Sequence, residues 1–235
     1  MKNDPPSRFG KTLEVLNSRI HNAAIKSNRT SNDITLIAVT KSFPPNIWEI
    51  ATDHNLNTLA ENRIQETKEK LKDFKQRHKI SLHFIGRLQS NKARKAGQMF
   101  DVIQTIDSIK LAKRLNIISA ETNKLQKIYL QVNIGNDPQK QGFSKKEIID
   151  SAKEVSELDS LEIGGIMTML PQGIPKTTLR DYYKKTCEIK NEINESVNSS
   201  CNNLSMGMSN DFEIAIEEGA THIRIGTALF GARPQ

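Results

Sequence analysis

Cysteine is nearly absent. Cys187 and Cys201 are the only two in 235 residues, and neither sits in a metal-ligand or redox spacing. Two isolated thiols argue against a disulfide-stapled secreted scaffold and fit a reducing cytoplasm. Long hydrophobic runs are missing too: nothing approaches the roughly 20 apolar residues that a membrane span needs. The start, MKNDPPSRFGKT, has no hydrophobic stretch behind its charges, so it does not read as a secretory signal. No cluster of Pro, Gly or Ser is long enough to mark a linker, and one domain over residues 1–235 is expected. Aromatic residues make up only 5%. The formal charge of +7 is spread along the chain, with lysines alternating with acids as in TKEKLKDFKQRHK, the pattern of a solvated helix face. Only Arg87 to Lys95 (RLQSNKARK) is locally basic. It lacks the interleaved aromatics on which single-strand binders stack bases. Neither a nucleic acid nor a membrane is therefore expected as a partner, and no metal site is expected.

What is present is a regular alternation. Phe9, Leu13, Leu16, Ile20 and Ala24 recur at spacings of three and four and predict a first helix. Eight short β-rich runs follow: 34–40, 57–60, 82–86, 101–105, 127–134, 161–167, 203–207 and 222–226. Helical stretches between them are expected over 45–54, 62–78, 108–122, 144–157, 176–197 and 210–218. Strands each followed by helix-like sequence imply parallel pairing through right-handed crossovers. Eight such units close a TIM barrel, and the length suits one. An open doubly wound sheet is the alternative, but no GxGxxG follows the first strand. The expected fold is a single (β/α)8 barrel with an extra N-terminal helix.

In such a barrel the chemistry lies at the C-terminal ends of the strands. ITLIAVT ends in Lys41, whose amine would point into a confined mouth. Partial desolvation there lowers a lysine pKa and frees the amine to attack an aldehyde. By itself such a lysine marks many strand ends. Asn62 after the second strand reads as a helix cap, with Glu66 supporting the helix start, or as an amide that could reach a ligand's phenolic oxygen. His83 reads as a core histidine, Gly86 as a point of close backbone approach, and Ser90 or Asn91 as caps of the next helix. Ser209 falls where the seventh strand gives way to a helix, and Gly226 with Thr227 opens another helix after the eighth. An N-cap role explains Ser209. Two helix starts with hydroxyls at these two strands would also form an anion pocket, in the place where TIM barrels usually bind phosphate. A lysine at strand one facing that pocket calls for a phosphorylated aldehyde, and pyridoxal 5'-phosphate (PLP) fits both ends of the description.

These residues fall within motifs. AVTK (38–41), ENRIQE (61–66), HFIGRLQSNK (83–92), Lys140 to Phe143, GGIMTM (164–169), SMGMSND (205–211) and RIGTALFGAR (224–233) together resemble the pyridoxal-phosphate homeostasis protein family. That family has the alanine-racemase N-terminal barrel. The resemblance implies that Lys41 carries PLP as a Schiff base, that Ser209, Gly226 and Thr227 hold its phosphate, and that Arg224 faces the pyridine nitrogen. It carries over Asn62 and Met167 as pocket wall. It also implies a non-catalytic, PLP-binding role in vitamin B6 and amino-acid homeostasis, with PLP-dependent enzymes as recipients; a PLP-dependent racemase is the alternative. A monomer is expected, because the second domain with which alanine racemases dimerise does not follow the barrel sequence. Ala60 stands where the family has glycine, and a left-handed backbone there would be strained.

Overall fold

In the computed structural model the described residues are 8–138, 140–171, 173–197 and 201–232. The ends of the first and last motifs read above, residues 1–7 and 233–235, lie outside them. Eight strands close a barrel in chain order, every neighbouring pair parallel. They are β1 (Thr35–Val39), β2 (Thr58–Glu61), β3 (Ser81–Phe84), β4 (Val102–Ile106), β5 (Gln126–Val132), β6 (Leu161–Thr168), β7 (Asn203–Ser205) and β8 (His222–Ile225). Each lies within a residue or two of its expected run. The strands are covered inside and out, so most of their residues are buried on both faces; β4 is buried throughout.

The helices are α1 (Arg8–Lys26), α2 (Ile47–Asp53), α3 (Ile64–Asp73), α4 (Ala93–Met99), α5 (Ile109–Glu121), α6 (Ile148–Ser156), α7 (Lys176–Val197), α8 (Phe212–Glu217) and α9 (Thr227–Phe230). The extra helix α1 buries Leu13, Leu16, Ile20, Ala23 and Ala24, on the stripe the sequence shows. One expectation needs correcting. The helix read over 62–78 ends at Asp73, because Phe74 turns extended into the core and packs edge-on to Trp48. Helix α4 follows the loop where the next helix is expected, but its bounds are not marked in the sequence, since its buried face is Ala93, Ala96 and Gly97, too small to register as an apolar period. Ala60 is unstrained: it sits in regular register between Val39 and His83, and it is not among the residues with positive φ.

The barrel interior is partly polar. Arg224 Nη1 donates to Ser205 Oγ at 2.8 Å, Ser205 Oγ donates to Gln104 Oε1 at 2.7 Å, and Gln104 Nε2 donates to His83 Nδ1 at 2.7 Å. His83 Nε2 then meets Ser81 Oγ at 3.0 Å. His83 is a satisfied core histidine. Burial drives it down to about 3 and its neighbour His222 to about 4, so both stay neutral in the folded barrel. The unfolded chain protonates them below their ordinary value, so stability is full above about pH 6.5 and falls as the pH drops toward those folded values. Each histidine should remove about 2 kcal/mol by pH 5. Urea midpoints at pH 7 and pH 5 check this, and an unchanged midpoint would contradict it.

Candidate functional site at the barrel mouth

Lys41 lies just past β1, and the peptide groups on both sides of it are clamped. Lys70 Nζ, from α3, donates to Thr40 O at 2.7 Å, and Ser42 N–H donates to Glu66 Oε1 at 2.5 Å. Ser42 takes a left-handed φ of 65°, which turns the chain sharply after the lysine. Lys70 also pairs with Glu61 Oε1 at 2.6 Å and with Glu66 at 3.0 Å. Thr40 Oγ1 donates to the same Glu61 oxygen at 2.7 Å and accepts from Trp48 Nε1 at 3.0 Å. Lys70 is only 2% exposed and Glu61 is fully buried. Burial pushes the Glu61 carboxyl up, and the Lys70 charge pulls against it. The i,i+4 spacing of Glu66 and Lys70 was the one sequence signal of this clamp.

Lys41 opens on a cavity of about 420 Å³ whose wall also carries Ser209, Asp211, Arg224, Gly226 and Thr227. Five of the residues expected at the site, Lys41, Ser209, Arg224, Gly226 and Thr227, thus meet in one concavity. Gly226 lies against β1, where an added Cβ would make ordinary contact with Val39 O at 3.4 Å. Gly207 is the stricter case, with φ at 89° and an added Cβ only 2.6 Å from that of Ala215. Arg224 is 3% exposed, its second nitrogen donates to Thr168 O at 2.7 Å, and burial lowers it to about 10, so it remains a cation at neutral pH.

The local roles differ from expectation in several places. Ser209 does not cap α8; Asp211 is the N-cap residue there. Ser209 Oγ instead accepts from Ala228 N–H and from Thr227 Oγ1, each at 3.2 Å, so it bridges the loops after β7 and β8. Asp211 Oδ1 holds Met208 N–H at 2.5 Å. Asn62 is not a cap either, since Arg63 adds one extended residue before α3. Asn62 lines a neighbouring cavity with Gly86 rather than the one at Lys41, and its Oδ1 is buried with no partner among the described residues. Gly86 does mark a close approach: a Cβ there would lie 2.1 Å from Asn62 O. Met167 is fully buried with Val102 and Tyr129 inside the barrel. Alternation along β6 and beyond puts Met169, two residues nearer the mouth, at the cavity wall instead. Ser90 begins a short 3₁₀ turn, and neither it nor Asn91 caps α4, whose N-cap residue is Lys92. Tyr183 of α7 is buried and hydrogen-bonded to Asp211.

A closed barrel with a lysine after strand one and paired hydroxyls after strands seven and eight defines a class. The family model described as alanine racemase, N-terminal domain, matches residues 16–234. An alanine racemase from Clostridium difficile 630, 15% identical, superposes with a TM-score of 0.72 over 96% of this chain and 58% of its own, a likeness of fold alone. Within that class, the chain belongs to the pyridoxal phosphate homeostasis protein family. The relative so named from Aquifex aeolicus (strain VF5) is 34% identical over 226 residues, 96% of this chain and 97% of that one. The one from Escherichia coli (strain K12) is 34% identical over 229 residues, 94% and 95% of the two chains. PipY of Synechococcus elongatus PCC7942, solved with PLP bound, is 32% identical with a TM-score of 0.85, covering 95% of this chain and all of PipY.

Proposed function

We propose that this chain binds PLP at the Lys41 cavity, holds it covalently through Lys41, and serves vitamin B6 and amino-acid homeostasis without turning over a substrate. One observation carries this: the primary amine that ends β1 shares a single cavity with Ser209, Thr227 and Arg224. PLP supplies an aldehyde that condenses with a primary amine and a phosphate that needs donors. Lys41 provides the amine. Ser209 and Thr227 already bring two hydroxyls within 3.2 Å of each other, beside the first N–H groups of α9, and would turn them to the phosphate. Arg224, fixed by Ser205 and Thr168, would face the ring nitrogen as a cation and keep it unprotonated, which weakens the ring as an electron sink. The relatives named for PLP homeostasis and the PLP-bound PipY support the same reading.

Ser209→Ala and Thr227→Val should each weaken cofactor retention by about 1–3 kcal/mol, the range for one hydrogen bond to a charged group. Equilibrium dialysis measures it. Retention unchanged in both variants would place the phosphate elsewhere.

Racemisation is the competing activity. It needs proton transfer on both faces of the substrate carbon, hence two positioned acid–base groups. Lys41 can serve one face. Among the described residues no tyrosine or histidine lines the cavity. Tyr129 is buried with its hydroxyl 3.4 Å from His222, and Tyr183 is turned to Asp211. Asp211 is itself engaged by Met208 N–H, and Lys176 stands exposed at the rim. Negligible racemisation of alanine and other common amino acids is expected with cofactor fully bound. Turnover at about 1–10³ s⁻¹, the usual enzymatic range, would make the racemase reading correct.

The carrier is proposed to act as a monomer that passes PLP to PLP-dependent enzymes. Its exposed large apolar side chains among the described residues are few, Val15, Ile25, Ile117 and Leu125, which supports a monomer.

A further inference from the structure

A second concavity, of about 800 Å³, opens between α3 and α4. Arg63, Lys68, Arg87, Lys92 and Lys95 line it, and no carboxylate does. None of these five makes a side-chain hydrogen bond or an ion pair among the described residues, although Lys70, Arg77 and Arg94 close by are all matched to acids. Five cations around one hollow, of which Lys68 alone acts on a nearby acid, Glu69, repel one another, and an anion placed there relieves the repulsion. The floor is apolar, built from Ile64, Leu71, Phe84 and Met99. The buried, unpartnered Oδ1 of Asn62 belongs to a residue of the same wall and lacks a donor. The size is that of a small-molecule site.

Charge without a floor would suit any polyanion, and a floor without charge any apolar ligand. Both together in a recess select a compact anion on a flat body. We infer that this hollow is a second, reversible site for a phosphate monoester carried on a planar ring, either a B6 phosphate or a mononucleotide. A continuous surface leads from it to Lys41. Gly86 and Arg87 also line the next cavity along the mouth, of about 970 Å³, which shares Met169, Pro171 and Met208 with the Lys41 cavity. A B6 phosphate captured here would stand beside the path to its covalent site, an extension that rests on the proposed role of Lys41.

The test uses protein loaded with PLP and fixed by borohydride, so that the Lys41 cavity is closed. It is dialysed against pyridoxine 5'-phosphate, which has no aldehyde to condense, and separately against adenosine monophosphate. One equivalent of a ring phosphate should bind, more weakly as salt is raised, and the tighter of the two names the source. Lys92→Glu/Lys95→Glu, both at exposed positions, should raise the Kd about tenfold or more and leave the fixed adduct intact. Unphosphorylated pyridoxine and inorganic phosphate should each bind at least about tenfold more weakly than the ring phosphate, lacking the charge or the flat body. The inference is overturned if no second equivalent binds, if charge reversal leaves the Kd unchanged, or if inorganic phosphate binds as tightly. A single-stranded oligonucleotide that outcompetes both ring phosphates would overturn it as well. Peptide mapping of the fixed adduct reads the Lys41 assignment separately. An adduct elsewhere would strike that assignment, and the second site would still be tested by the same dialysis on the protein as purified.

Discussion

Lys41→Ala should abolish covalent attachment of PLP while the barrel remains folded. Lys41 sits beyond the end of β1 and contributes no core packing, so far-ultraviolet circular dichroism and the urea midpoint should change little. The loss should be complete, because condensation needs a primary amine within reach of an aldehyde whose phosphate is held across the cavity. Lys41→Arg should fail equally: it keeps the charge but cannot condense. The most informative competitor is Lys140, whose ammonium is disfavoured by burial and whose Nζ donates to Met169 O at 3.1 Å. It lines the adjoining cavity rather than the one with Ser209 and Thr227. Borohydride reduction and peptide mass mapping should therefore find the adduct on the peptide of Lys41 and on no peptide of the variant. A normal Schiff-base absorption band in Lys41→Ala would refute the assignment.

Lys70→Met should be among the most destabilising single changes in the chain. It leaves the Glu61 carboxylate fully buried with Thr40 Oγ1 as its remaining partner and removes the donor to Thr40 O. Breaking a buried ion pair from one side costs about 3–5 kcal/mol. Removing both charges in Glu61→Gln/Lys70→Met should recover most of that loss, because no uncompensated charge then remains. The double variant still lacks the bond to Thr40 O, so it should fold yet attach PLP more slowly than the wild type. Urea unfolding and the rate of appearance of the Schiff-base band separate the two effects. A cost below about 1 kcal/mol for Lys70→Met, the level of an exposed pair, would mean that the pair is not what holds the Lys41 turn.

How far the sequence reached follows from the range of each interaction. The eight strands and most helices were legible because apolar periodicity is a local property, repeated within each run of residues. Where the local signal failed, as in α4, the buried face was made of alanine and glycine, which carry little hydrophobic contrast. Lys41, Ser209, Gly226 and Thr227 were legible once eight strands were counted, since the count alone sends their ends to one mouth. Met167 missed the cavity wall by one step of a two-residue alternation, which depends on the height of each strand in the barrel.

The side-chain networks lay beyond reach altogether. Thr40 meets Lys70 across 30 residues and Ser205 meets Gln104 across 101, and nothing local in the chain encodes either pairing. The gathering of Arg63, Lys68, Arg87, Lys92 and Lys95 around one hollow is of the same kind, because in sequence they are spread over two helices and a loop. By itself the sequence determined the order of strands and helices, the closure count and the residues delivered to the mouth. Only the tertiary structure decided which polar groups meet, which loops Ser209 bridges, and which cations share one hollow, because hydrogen bonds and charges act over a few ångströms in space whatever the distance along the chain.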